Sequence, residues 1–219
     1  MELSAMLGIP RGVTAVIGSG GKTSLLCVLA QELSHRGTVL VSTTTHIMRP
    51  NWCPFAATDA ALREGFAHSP IVCAGSYTPE GKLTAPDFPG WQYAADFVLV
   101  EADGSKRLPA KAHAAWEPVL PPERNRTVCV FGASALGRPI QDAAHRPELY
   151  APLAETSTDA NITPEIAARV LAKEVGFDVL FINQADVLED PAAALQPFAD
   201  TLPCPAIYGA LAEGYWTRL

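Results

Sequence analysis

Apolar residues along the chain fall into two kinds of pattern. Short continuous runs recur at Val13-Thr14-Ala15-Val16-Ile17, Thr38-Val39-Leu40-Val41-Ser42, Phe97-Val98-Leu99-Val100, Thr127-Val128-Cys129-Val130-Phe131-Gly132 and Asp178-Val179-Leu180-Phe181-Ile182. Runs of this length, bounded by turn-forming residues, predict strands covered on both faces, as in a parallel sheet. Between them the period changes. Leu25, Leu26, Leu29 and Leu33 are spaced three and four apart, which predicts a helix from Lys22 to His35 that Gly37 ends. Thr163 as cap with Pro164 at the first helical position predicts a second helix to about Glu174, with Ile166, Val170 and Leu171 toward the core. Asp190-Pro191 opens a third, to about Leu202, and Cys204 to Gly209 reads as a final edge strand. Strands alternating with helices predict an α/β fold, a mostly parallel sheet with helices on both faces. The stretch from about 48 to 92 is rich in Pro and Gly and predicts an irregular insertion. It holds a short helix at Thr58 to Phe66, a short strand at Ile71 to Gly75, and a loop or hairpin over Tyr77 to Trp91.

The first strand runs directly into Gly18-Ser19-Gly20-Gly21-Lys22-Thr23-Ser24, and the first helix follows at once. Glycines let the backbone turn its N–H groups inward, and the helix N-terminus adds partial positive charge, so the segment predicts an anion cradle. All seven residues are read as nucleotide-binding. Lys22 would reach the terminal phosphates and the Thr23 hydroxyl would ligate Mg²⁺. The usual phosphate loop has four residues between its first Gly and the Gly-Lys pair, whereas only Ser19 and Gly20 stand there in this chain. The short form resembles the loop of the Mur ligases. With this loop in place, the α/β expectation sharpens to a P-loop NTPase-like three-layer sandwich, in one domain over 1–219.

The ends of the other strands carry the remaining chemistry. Ser42-Thr43-Thr44-Thr45-His46 follows the second strand, where open parallel sheets bind ligands, and Thr44, Thr45 and His46 are candidate substrate contacts; a Thr-rich β segment is the plainer alternative. Glu101-Ala102-Asp103 ends the Phe97 strand. In an extended chain the two carboxylates point the same way, so both could serve one Mg²⁺ and, with Lys22, form the catalytic set. Lys106, Arg107, Lys111 and His113 follow within ten residues. They read either as a phosphate or carboxylate clamp or as a solvated basic loop. Arg107 and Arg138 are the internal candidates for an arginine finger. Asn183-Gln184-Ala185-Asp186 closes the Asp178 strand. Its pattern is close to Asn-Lys-x-Asp, in which the Asp takes two N–H bonds from guanine, so Asp186 and Asn183 are candidate base contacts, with a common turn composition as the alternative. His145-Arg146-Pro147-Glu148 reads as polar surface.

The chain has 219 residues, of which 48% are hydrophobic, enough for one sizeable core. Its net charge of −7 argues against sequence-independent binding of nucleic acid, which needs a basic footprint. Five scattered cysteines with no Cys-x-x-Cys pair are read mostly as buried thiols in a reducing compartment. No run reaches membrane-spanning length and Met-Glu-Leu-Ser is not a signal sequence, so a cytoplasmic protein with no membrane partner is expected, with a homodimer left open.

Taken together, the Gly18 to Ser24 loop, Ser42 to His46, Val100-Glu101-Ala102-Asp103-Gly104-Ser105-Lys106, His145 to Glu148 and Ile182 to Asp186 resemble the YqeC family of selenium-dependent hydroxylase accessory proteins. The resemblance covers nearly the whole chain, and Gln184 is a trait of that family. It implies a P-loop NTPase-like protein that uses Mg²⁺ with GTP or ATP and is linked to the maturation of molybdenum hydroxylases, with the hydroxylase or its cofactor as partner. Three readings stand at this stage: slow nucleoside triphosphate hydrolysis or phosphoryl or nucleotidyl transfer, a nucleotide- or cofactor-binding module without turnover, and a Mur-ligase-like enzyme that forms an acyl phosphate.

Overall fold

The computed structural model describes residues 1–174 and 176–219. The chain is α/β, with a nine-stranded, mostly parallel sheet flanked by helices. It divides into two compact units, the first made of residues 1–16, 23–104 and 119–127, the second of residues 17–22, 105–118 and 128–219.

In the first unit the strand order is Gly12–Gly18, Phe97–Glu101, Val39–Thr43, Ile71–Ala74, Phe55–Ala56. All of these pair in parallel, and the Phe97–Glu101 strand lies between the two strands joined by the first helix. Val16 is in register with Glu101 on one side, and Thr43 with Glu101 on the other. Val16, Glu101 and Thr43 therefore stand level, and the first strand runs on to Gly18. The helix Lys22–Leu33 buries Leu25, Leu26, Leu29 and Leu33 completely, and each such side chain contributes about 1.5–3 kcal/mol relative to exposure. Its Glu32 carboxylate accepts the N–H groups of Leu3 and Ser4, which ties down the short N-terminal turn Leu3–Met6. The stretch read as an irregular insertion supplies two strands of the sheet. Its helix, Asp59–His68, is capped by Thr58 and packs through Leu62, and its hairpin is the two-stranded pair Ser76–Tyr77 and Leu83–Thr84.

In the second unit the order is Tyr215–Arg218, Ala206–Ala210, Val179–Asn183, Arg124–Gly132. Asn183 is in register with Gly132. Tyr215–Arg218 runs antiparallel, so the Ala206–Ala210 strand is not the edge that the sequence pattern predicts; the last four strand residues look like loop because they are mostly solvent-facing. The helix Pro164–Lys173 begins on the Thr163 cap as expected, yet its buried face is Ala167, Ala168 and Val170, while Ile166 and Leu171 are half-buried. Small residues face inward there because the helix lies close against its neighbour Pro147–Ala154, whose last carbonyls accept bonds from Arg169 and Lys173. Phe131 and Phe198 meet at 5.4 Å between ring centroids and join the strand to the helix Pro191–Thr201. Of the cysteines, Cys53, Cys73 and Cys129 are buried and Cys27 and Cys204 half-buried. Among the described residues no helix is long and apolar enough to cross a membrane.

Candidate functional site

The glycine loop belongs to the second unit and is shaped by close backbone approach. Gly18 and Gly20 have φ of +91° and +89°, and a Cβ on Gly20 would collide with the backbone of Gly132, one on Gly18 with the carbonyl of Val130. Only glycine serves at such positions, since both the torsion and the space exclude a side chain. Three bonds then pin the loop. Ser19 N–H donates to the Val130 carbonyl at 2.8 Å, the Ser19 hydroxyl donates to the Leu108 carbonyl at 2.6 Å, and the Asn183 amide donates to the Gly20 carbonyl at 2.8 Å. Asn183 is itself held by the Leu211 N–H, which donates to its carbonyl oxygen at 3.1 Å. Lys22 is 3% exposed, and its Nζ donates to the Gly18 carbonyl at 2.7 Å and to the Ser105 hydroxyl at 3.3 Å. The ammonium is thus folded across the mouth of its own loop.

The Thr23 hydroxyl and the Glu101 carboxylate meet in the first unit. The Thr23 hydroxyl donates to Glu101 Oε2 at 3.1 Å. Glu101 is 6% exposed and Asp103 fully buried. Thr43 donates to the Glu101 carbonyl at 2.8 Å and receives the Thr45 N–H at 3.0 Å, while the Thr44 hydroxyl donates to the Val119 carbonyl at 2.5 Å. The hydroxyls of Thr43 and Thr44 are therefore occupied in shaping the strand end, and His46 is exposed. The Thr23 hydroxyl on the buried Glu101 carboxylate is an all-oxygen donor pair that fits Mg²⁺, which takes one or two protein carboxylates and completes its shell with water and phosphate oxygens. Thr23, Glu101 and Asp103 are the residues that would hold it. Among the described residues no group of three His, Cys, Asp or Glu forms a self-sufficient metal cage.

Lys106 and Arg107 are exposed, with φ of +49° and +63°, and the Leu108 N–H donates to the Ser105 carbonyl at 2.9 Å. Positive φ at both central residues makes this a mirror-image turn that Asn and Gly normally occupy. Lys111, in contrast, is buried and ion-paired to Glu117 at 3.1 Å, and Arg146 pairs with the same Glu117 oxygen at 2.6 Å. The segment His145-Arg146-Pro147-Glu148 is thus only in part the polar surface its composition predicts: Glu148 is exposed, but His145 is buried and in strand register with Lys111. Burial pushes the Glu117 carboxyl up, but the Arg146 hydrogen bond and the Lys111 charge outweigh it and hold it below the ordinary carboxylate range. His145 is pushed down by burial first, then by the charges of Arg146 and Lys111, with Glu117 opposing. The unfolded chain takes up that proton near the ordinary value of 6.5, the folded chain only at lower pH. Stability from a neutral His145 is therefore complete above pH 6.5 and lost as pH falls toward the folded value. Chemical denaturation from pH 7.5 to 5 should show a shallower acid loss in His145→Gln than in the wild type, and identical pH profiles would remove His145 as the cause.

At the end of the Val179–Asn183 strand, Gln184 adopts φ of +63° and its side-chain carbonyl accepts the Ser134 hydroxyl at 2.7 Å. Asp186 is exposed, and its charge helps raise the Tyr215 hydroxyl after burial. Composition carries no hint of several residues that matter here. Leu108, Val130, Gly132 and Leu211 act through backbone atoms or the absence of a side chain, and Glu117 is separated from Arg146 by 29 positions. Behind the loop a small cavity is lined by Ser19, Lys111, His113, Cys129, Tyr150 and Glu174. His113 contacts Glu174 through both its ring and its N–H, so it belongs to this buried pair and not to a solvent-facing basic run.

The family model for the YqeC protein matches residues 14–148, more than half of the chain and the whole stretch from the loop strand to the His145 segment. A curated relative in Escherichia coli (strain K12), "Uncharacterized protein YqeC", is 35% identical over 162 residues, covering 68% of this chain and 63% of the relative. The match therefore spans somewhat less than two thirds of that relative's length. With the glycine loop, the Glu101 strand end and the His145-Arg146 pair all inside the matched region, the chain belongs to the YqeC family.

Proposed function

We propose that this protein binds a nucleoside triphosphate with Mg²⁺ and hydrolyses it slowly, as an accessory factor in the maturation of selenium-dependent molybdenum hydroxylases. The observation that carries the nucleotide reading is the glycine loop. It is pinned from three sides, and its Lys22 ammonium rests on a loop carbonyl, from which phosphate oxygens could draw it by offering a charged partner. The Thr23 hydroxyl and Glu101 carboxylate supply the donor set for the cation. Bound Mg²⁺ would neutralise charge on the β- and γ-phosphates, while the chain's own residues hold and orient the triphosphate. The link to hydroxylase maturation rests on the family resemblance, and the molybdenum hydroxylase or its cofactor is the partner it points to. Asp186, exposed at the end of its strand, is the group that would accept two N–H bonds from guanine, so GTP is preferred over ATP by a modest margin.

Thermal unfolding tests this reading. A triphosphate present at 100 times its dissociation constant stabilises by about 2.7 kcal/mol, a rise of roughly 5–10 °C for a chain of this size. Lys22→Ala should abolish the rise, and Asp186→Ala should remove a preference for GTP of about tenfold without removing the rise itself. No shift with any triphosphate and Mg²⁺ would end the nucleotide reading. Equal shifts with ATP and GTP, unchanged in Asp186→Ala, would show that the Asn183 to Asp186 segment only turns the chain.

A further inference from the structure

Two cysteines of the first unit are built against each other where its sheet ends in the strands Ile71–Ala74 and Phe55–Ala56. Phe55 is the register partner of Cys73, and the Cys73 N–H donates to the Pro54 carbonyl at 2.8 Å, so the residue next to Cys53 is bonded to the backbone of Cys73 itself. Val72, Ala74 and Ala56 belong to one apolar cluster, and strand alternation turns Cys73 and Phe55 to the opposite face of the sheet. The Cys53 and Cys73 side chains share a hydrogen bond, and both are free thiols. Beside them the Arg49 guanidinium is held in place, 4.9 Å from the Phe55 ring centroid and donating to the Tyr77 hydroxyl at 3.4 Å. The two sulfurs are unequal. Cys53 is 9% exposed and Cys73 is fully buried. The hydrogen bond from Cys73 lowers the Cys53 thiol and outweighs burial, with the Arg49 charge helping, whereas the same bond and then burial push Cys73 up. Thiolate character therefore concentrates on Cys53, and Cys73 keeps the proton.

We propose that Cys53 and Cys73 form a redox-active dithiol that a small hydroperoxide oxidises to a disulfide, with Cys53 as the attacking sulfur and Cys73 as the resolving one. Cys53 Sγ attacks one oxygen of hydrogen peroxide. An S–O bond forms, the O–O bond breaks, and the departing hydroxide takes up the proton that Cys53 gave up, leaving a sulfenic acid and one water. Cys73 Sγ then attacks Cys53 Sγ. The S–S bond forms as the S–O bond breaks, and the hydroxide leaves as a second water with the Cys73 proton. Two thiols lose two electrons and one peroxide gains them. The loop so closed contains the edge strand Phe55–Ala56 and the helix Asp59–His68, which the disulfide ties to the neighbouring strand. A small thiol such as dithiothreitol reverses the bond by exchange.

The test treats the reduced full chain with hydrogen peroxide, removes the excess with catalase, and alkylates the remaining thiols in denaturant for peptide mass mapping. Five cysteines should alkylate before treatment and three after it, with one linked peptide pair holding Cys53 and Cys73, and dithiothreitol should restore all five. Cys73→Ala, which keeps a small apolar group at the buried position, should halt the reaction at the sulfenic acid. Dimedone should then label Cys53 at least about fivefold faster than Cys27 or Cys204. That order runs against exposure, because Cys27 and Cys204 are the less buried residues while burial pushes their thiols up. Five cysteines still alkylating after peroxide would overturn the proposal, as would a link from Cys53 to Cys27 in place of Cys73. Dimedone labelling that favours Cys27 or Cys204 over Cys53 would overturn it too. The nucleotide reading is judged separately, by the thermal shift with triphosphate, so either can fail while the other stands.

Discussion

Gly20→Ala is expected to unfold about 6–12 °C below the wild type and to show no stabilisation by triphosphate. Two costs add at this position. An alanine at φ of +89° is held in a region that L-residues avoid, and its Cβ would overlap the backbone of Gly132, which belongs to a strand and cannot move as a side-chain tip can. Strain and overpacking of this kind amount to about 3 kcal/mol together, and each kcal/mol lowers the midpoint by roughly 2–4 °C in a chain of this length. Relief would require the loop to lift from the Arg124–Gly132 strand, which would break the Asn183 bond to the Gly20 carbonyl and spread the N–H groups that cradle phosphate. A melting curve with and without GTP and Mg²⁺ reads both effects. A midpoint within 2 °C of the wild type together with an undiminished ligand shift would mean that Gly132 does not constrain the loop.

Glu101→Gln is expected to slow phosphate release by at least 100-fold while leaving the fold intact. The substitution preserves shape, and the Thr23 hydroxyl can still bond to the side-chain amide, so the register of Val16, Glu101 and Thr43 is kept. What is lost is one negative charge in a largely dry position, where it would otherwise hold a cation against the phosphates. Charge stabilisation in such a setting is worth several kcal/mol. The wild type itself should be slow, roughly 10⁻³ per second or less, as for a phosphoryl-transfer site without an arginine finger. Arg107 is exposed, and Arg138 donates to the Asp142 carbonyl at 3.0 Å. Single-turnover release of labelled phosphate makes the comparison directly. If Glu101→Gln and Asp103→Asn both match the wild type, with and without a molybdenum-hydroxylase client, the carboxylates take no part in turnover. The binding module without hydrolysis then becomes the better account.

By itself the sequence determined the features that depend on near neighbours. An apolar run of Val13 to Ile17, glycines with their torsional freedom, Lys22-Thr23 and a leucine period of three and four specify strand, loop and helix without reference to any distant residue, because backbone sterics and side-chain periodicity act over a few positions. The same holds for the Thr163 and Asp190 caps, whose side chains accept an N–H three residues on. The tertiary structure decided everything that needs two distant stretches to meet. Gly20 and Asn183 stand 163 positions apart, yet their bond sets the loop, and it exists because the register places Asn183 beside Gly132. Composition labels His145-Arg146 as solvent-facing because both residues are polar; pairing of the Ala144–His145 strand with Ala110–Lys111 instead buries His145, and Arg146 meets Glu117 in an ion pair that replaces hydration. Lys111 likewise leaves the basic run it shares with Lys106 and Arg107, because pairing with Ala144–His145 buries the whole short strand Ala110–Lys111 while the turn residues stay in water. Charge pairing and close backbone approach are properties of position in space, and only the fold assigns those positions.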